Sequence, residues 1–151
     1  MSKNPIPIER GLPKHKKIFG NTEPRIMTPK LKGLSKGSEF AEFAEKCGMP
    51  LLPWQKYCAD DFLTVDADGN YVRRTICLLV SRQQGKTLLA AMRILFGLFV
   101  TGEKSIIALS SNRAMALTTF RQVVNIIEQN DFLRDKVKLN MGKVGRFGSG
   151  M

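Results

Sequence analysis

The apolar residues of this chain fall into runs of two kinds. Thr75-Ile76-Cys77-Leu78-Leu79-Val80 is almost continuously apolar and is followed by polar, turn-forming residues. Such a short run reads as a strand buried on both faces. From Lys86 to about Val100 the residues Leu88, Leu89, Met92, Leu95, Phe96 and Phe99 lie nearly all round a helix. That pattern suits a helix wedged between a sheet and its neighbours. Thr101-Gly102-Glu103-Lys104 reads as a loop, and Ser105 to Leu109 as a second buried strand. Ser110-Ser111-Asn112 then caps a helix over about Arg113 to Gln129, with Ala116, Phe120, Val123, Val124 and Ile127 on its apolar face. This strand–helix–strand–helix order predicts an α/β fold, a parallel sheet covered by flanking helices.

Upstream the patterning changes. Ser38 to Lys46 reads as a short helix, with Ser38 as N-cap, Phe40, Phe43 and Ala44 on one face, and Gly48 ending it. A second helix is expected from Pro53 to about Phe62. Asp66-Ala67-Asp68-Gly69-Asn70 is a turn signal, so Thr64-Val65 and Tyr71-Val72 read as a small hairpin. Residues 1–37 contain Pro5, Pro7, Pro13, Pro24 and Pro29 and read as an extended, largely irregular arm. The unit that follows is 38–151, and its residues after Lys138 are glycine-rich and weakly patterned.

Charge changes the picture. The chain has 151 residues and a formal net charge of +11, which points to a polyanionic partner, nucleic acid first. The excess is concentrated in the arm, where Lys14, Lys16 and Lys17 cluster and Glu9 and Glu23 are the only acids. A solvated tail remains the plain alternative. Cys47, Cys58 and Cys77 have no metal-ligand or redox spacing, and they read as free, mostly buried thiols of a reducing compartment, Cys77 in the core. His15, the single histidine, sits among lysines, which argues against a histidine-based catalytic dyad. The run Leu88 to Val100 is too short to span a membrane and includes Arg93.

The candidate chemistry lies between the first strand and its helix. Val80-Ser81-Arg82-Gln83-Gln84-Gly85-Lys86-Thr87 has the strand, tight loop and Gly-Lys-Thr ending of a phosphate-binding P-loop. Backbone N–H groups at a helix start attract phosphate, and the helix dipole adds to this. Gly85 permits close backbone approach, Lys86 reaches the β- and γ-phosphates, and the Thr87 hydroxyl is the expected Mg²⁺ ligand. The general pattern wants glycine where Val80 stands, and Arg82 places a second cation in the loop. The bland alternative is a glycine-containing strand-to-helix turn carrying two surface cations.

These residues resemble the N-terminal part of the large terminase subunit of tailed bacteriophages, the motor that packages DNA. Ser81 to Thr87 resembles that family's variant P-loop, with its early arginine. Leu52-Pro53-Trp54-Gln55 resembles the upstream glutamine motif that contacts adenine. Glu39 to Ala44 with Gly48 and Leu51 resembles a leader helix, and Ile106 to Ser111 with Ala114 to Phe120 the second strand and helix. The resemblance covers roughly residues 38 to 137 and implies a P-loop NTPase sheet of the RecA/ASCE-like type. It implies ATP and Mg²⁺ as cofactors, held by Gln55, Ser81, Arg82, Gln83, Gln84, Gly85, Lys86 and Thr87. Arg82 and Lys86 would be catalytic, Arg82 as a γ-phosphate contact or cis arginine finger. Double-stranded DNA, a portal and a small terminase subunit are the implied partners, with no membrane. The implied location is the host cytoplasm at the procapsid, without secretion.

Plain alternatives stand beside these roles. Gln55 also reads as an ordinary exposed helix residue, Trp54 as core, Arg82 as a phosphate-steering surface cation, and Ser110 to Arg113 as helix capping. Hydrolysis in this class needs an acidic residue at the end of a further strand and a glutamate for the attacking water. The sequence has no later apolar strand ending in such acids, and no carboxylate cluster of a nuclease domain. The expectation is therefore nucleotide binding without efficient hydrolysis, from a truncated gene product, a split gene whose second half is encoded elsewhere, or a fragment left by an interruption. A helicase-like ATPase fragment and a non-catalytic basic nucleic-acid-binding module are the competing readings.

Overall fold

Helices dominate residues 20–137, the part of the chain that the computed structural model describes. They are α1 (Gly37–Lys46), α2 (Pro53–Phe62), α3 (Lys86–Phe99), α4 (Arg113–Gln129) and α5 (Asp131–Arg134). Residues 1–19 of the expected arm and 138–151 lie outside the described residues. Strands β1 (Leu34–Ser35) and β2 (Thr64–Val65) pair antiparallel, Leu34 opposite Val65 and Ser35 opposite Thr64. A Val65–Tyr71 bridge closes the expected hairpin around Gly69.

Local chemistry accounts for the starts of α2 and α4. Pro53 occupies the first position of α2, where its missing N–H costs nothing. The Asn112 side chain accepts the Met115 N–H at 2.9 Å and starts α4. α1 differs from expectation, because it begins at Gly37 and Ser38 lies inside its first turn. Lys36 is the N-cap and makes no side-chain cap bond; the Ser35 hydroxyl before it accepts the Gly37 N–H at 3.0 Å and donates to the Asp60 carbonyl at 2.6 Å. Gly37 is required by proximity. A β-carbon there would lie 2.6 Å from the Asp60 Cα, too close for the α1 start and the α2 end to stay in place.

The core is shared by all the helices. Phe40 and Phe43 of α1, Ala59 of α2, Met92, Leu95 and Phe96 of α3, Ile126 of α4 and Leu133 of α5 are buried together. The Phe96 ring meets Phe40 edge-on at 5.2 Å and Phe43 at 5.9 Å. Only the C-terminal half of α4 joins this core. Val123, Ile126 and Ile127 are buried, whereas Phe120, expected on the apolar face, is exposed.

The last part of the arm is pinned to α2. Asp61 is buried, and its carboxylate accepts the Leu31 N–H at 2.9 Å and two Arg73 guanidinium N–H groups at 2.6 and 3.0 Å. Arg73 also donates to the Pro29 carbonyl, and Lys30 pairs with Asp60 at 2.6 Å. Irregular backbone thus becomes a fixed strap through two adjacent carboxylates, Asp60 and Asp61.

The two apolar segments expected as parallel strands carry no ladder among the described residues, where the one sheet is β1–β2. An extended segment becomes a strand only when a neighbour takes its N–H and C=O groups. Leu79, Ile107 and Leu109 are 97%, 80% and 91% exposed. Cys77, expected in the core, is exposed for the same reason: among the described residues its segment pairs with no other strand.

Two outcomes test this architecture. Gly37→Ala should destabilise the fold by about 1–3 kcal/mol, the usual cost of overpacking, as measured by urea unfolding. The strap should respond to acid. Burial alone would raise the Asp61 carboxyl, but the hydrogen bonds from Arg73 and Leu31 outweigh it and hold the pKa below the ordinary aspartate value. The strap therefore stabilises fully above about pH 4–5 and loses its contribution as pH falls through the lowered pKa. Asp61→Asn should lower the thermal midpoint by roughly 5 °C at pH 7, and the gap from wild type should close towards pH 2.

Candidate functional site

The loop before α3 is built around two left-handed residues. Gly85 has φ +84° and forms the N-cap of α3, and Gln83 has φ +62°. Alternation of this kind turns backbone N–H groups towards one side, the arrangement that makes anion-binding concavities. The first bond of the helix runs from the Leu89 N–H to the Gly85 carbonyl at 3.0 Å. The N–H groups of Lys86, Thr87 and Leu88 therefore precede the intrahelical ladder and face the loop.

Lys86 folds back over this loop. Its ammonium donates to the Val80 carbonyl and to the Ser81 carbonyl, the latter at 2.9 Å. The two carbonyl oxygens occupy the acceptor role that phosphate oxygens would take. Ser81, Arg82, Gln83, Gln84 and Thr87 are exposed, and Gly85 and Lys86 are half-buried. The structure thus gathers the expected loop residues on one exposed end of α3, with Lys86 turned inward.

Gln55 reaches the same loop from the other side. It is 1% exposed, its amide oxygen accepts the Leu52 N–H at 2.8 Å, and its amide nitrogen donates to the Gly85 carbonyl at 3.1 Å. Sequence reasoning singled out Gln55 without this contact. The available signal was its position as third residue of a helix opened by Pro53, where a glutamine commonly turns back to the N-cap N–H.

A cavity of about 940 Å³ lies beside the loop. Trp54 and Tyr57 of α2, Ile26 and Met27 of the arm, and Leu78 and Val80 line it, and it extends to Ser81 and Gln84. Trp54 packs against the core, as expected, and also borders this cavity. Asn112 acts as the helix cap described above, which is the plain reading of that segment. Among the described residues, no group of three or more His, Cys, Asp or Glu could by itself hold a metal ion. Thr87 is the chain's own oxygen donor at the expected metal position, a set that suits Mg²⁺ only alongside phosphate oxygens and water.

Comparison with family models, with curated proteins and with solved structures finds no match for this chain. The site is therefore read from its own chemistry.

The cysteines give a test of the surroundings. Cys47 and Cys58 are buried, and burial pushes the Cys47 thiol up to about 11 and raises Cys58 as well. Thiolate is the reactive form. Iodoacetamide at pH 8 should alkylate Cys77 in the native protein well before the other two, with peptide mass spectrometry as the readout.

Proposed function

We propose that this chain binds the triphosphate of ATP through the loop Ser81–Thr87, as the nucleotide-binding segment of a viral DNA-packaging motor. The observation that supports the reading best is the pairing of Lys86 with the Val80 and Ser81 carbonyls beneath a left-handed Gly85. A lysine held there needs only to exchange two carbonyl oxygens for phosphate oxygens. The backbone N–H groups at the start of α3 then meet the same phosphates. Arg82, exposed at the loop, neutralises further phosphate charge. Mg²⁺ would be held by the Thr87 hydroxyl together with phosphate oxygens, and would offset charge on the β- and γ-phosphates.

In this reading Thr75–Val80 and Ser105–Leu109 are strands of a parallel α/β sheet of the P-loop type, paired with strands from outside the described residues. Their apolar, exposed side chains support it. Hydrolysis requires carboxylates for the metal and the attacking water. We assign to the loop Ser81–Thr87 the binding of the triphosphate. DNA is the proposed polyanionic partner, on the strength of the +11 charge. The portal and the small terminase subunit enter through the resemblance alone.

Calorimetry with Mg-ATP tests the proposal. Wild type should bind, and Lys86→Ala should lose about ten- to a hundredfold in affinity, the range for hydrogen bonds to a charged group. A folded wild-type chain with no affinity for Mg-ATP, but with salt-sensitive DNA binding that Lys86→Ala leaves intact, would instead establish the basic-module reading.

A further inference from the structure

The Gln55 amide is committed at both ends. Its oxygen holds the Leu52 N–H at 2.8 Å and its nitrogen holds the Gly85 carbonyl at 3.1 Å, with the residue 1% exposed. We propose that Gln55 is a positioning residue that sets the phosphate loop, and that the site grips the triphosphate without reading the base through Gln55. The proposal rests on the phosphate-binding reading of the loop.

The geometry gives the mechanism. The Gly85 carbonyl accepts both the Leu89 N–H at 3.0 Å and the Gln55 amide, so two donors from different elements fix its direction. In a helical peptide unit the N–H points opposite to the carbonyl. Fixing the Gly85 carbonyl therefore aims the Lys86 N–H outward from the start of α3, towards an incoming phosphate. The fit is tight, since a β-carbon on Gly85 would lie 2.8 Å from the Gln55 amide nitrogen. Pairing with a base edge would require the amide to turn both its oxygen and its nitrogen outward. That turn would leave the Leu52 N–H without its acceptor and take from the Gly85 carbonyl one of its two donors.

A second observation points the same way. The cavity of about 940 Å³ beside the loop is lined by Trp54 and Tyr57, and Gln55 does not line it. A base entering there meets aromatic side chains, and stacking on such groups is tolerant of base identity.

The test uses the full chain and three probes with Mg²⁺: ATP, GTP and inorganic tripolyphosphate, which has no base. On the unmodified protein, ATP and GTP affinities should agree within about fivefold, because no buried amide discriminates between them. A larger preference for ATP overturns the proposal, and needs no variant. Gln55→Ala should weaken ATP and tripolyphosphate by the same factor, about five- to tenfold for one lost hydrogen bond. It should also speed hydrogen exchange at residues 85–88 while leaving the buried turns of α3 protected, which a merely global loss of stability would not do. Circular dichroism at low temperature establishes that the variant is folded. Loss of ATP affinity with tripolyphosphate binding unchanged overturns the proposal and leaves the phosphate loop standing. Failure of wild type to bind any of the three probes removes the phosphate reading, and this proposal with it.

Discussion

Phe96 is buried where α3 meets α1, with its ring against Phe40 and Phe43, and the placement of the candidate site depends on that contact. Leu89, Met92 and Leu95 share the same core, so α3 is held along its inner face. A helix of 14 residues extends about 21 Å, and fixing its buried half fixes where its first turn points. The loop itself is mostly exposed and supplies little packing of its own. Its position comes from the helix behind it and from Gln55 beside it.

α2 is the second support, and polar contacts run along it from end to end. Near its start, Gln55 joins the Leu52 N–H to the Gly85 carbonyl. At its end, Asp60 and Asp61 hold the strap through Ser35, Lys30, Leu31 and Arg73. A buried carboxylate is costly without partners, and Asp61 has three donor groups from two segments. Loop and strap thus share one rigid element, and the cavity between them is bounded by its aromatic side chains.

The extended segments carry the opposite balance. Ile76, Leu79, Ile107 and Leu109 present apolar side chains to solvent where burial would stabilise them. The helical core forms without them, because Phe40, Phe96 and Ile126 bury each other directly. Unpaired apolar extended chain is prone to add a strand from another source. This connects the exposed residues to the proposed function, in which a sheet is completed by strands from outside the described residues.

Near-neighbour chemistry made much of this readable from the sequence. The starts of α2, α3 and α4 follow from Pro53, from Gly85 and from Asn112, whose effects reach one turn, and the Gly-Lys-Thr loop was legible for the same reason. Contacts between residues about 30 apart were not legible. The Gln55–Gly85 bond, the Leu31–Asp61 bond and the Ser35–Asp60 bond depend on how helices pack, and no local pattern encodes that. Exposure was the other blind spot. An apolar run such as Thr75–Val80 states that burial would be favourable, but a neighbouring segment must provide it. The sequence by itself determined where helices begin and which residues form the loop, because those depend on adjacent side chains. The tertiary structure alone decided what Gln55, Asp61 and Cys77 do, because their partners, or the lack of cover, come from elsewhere in the fold.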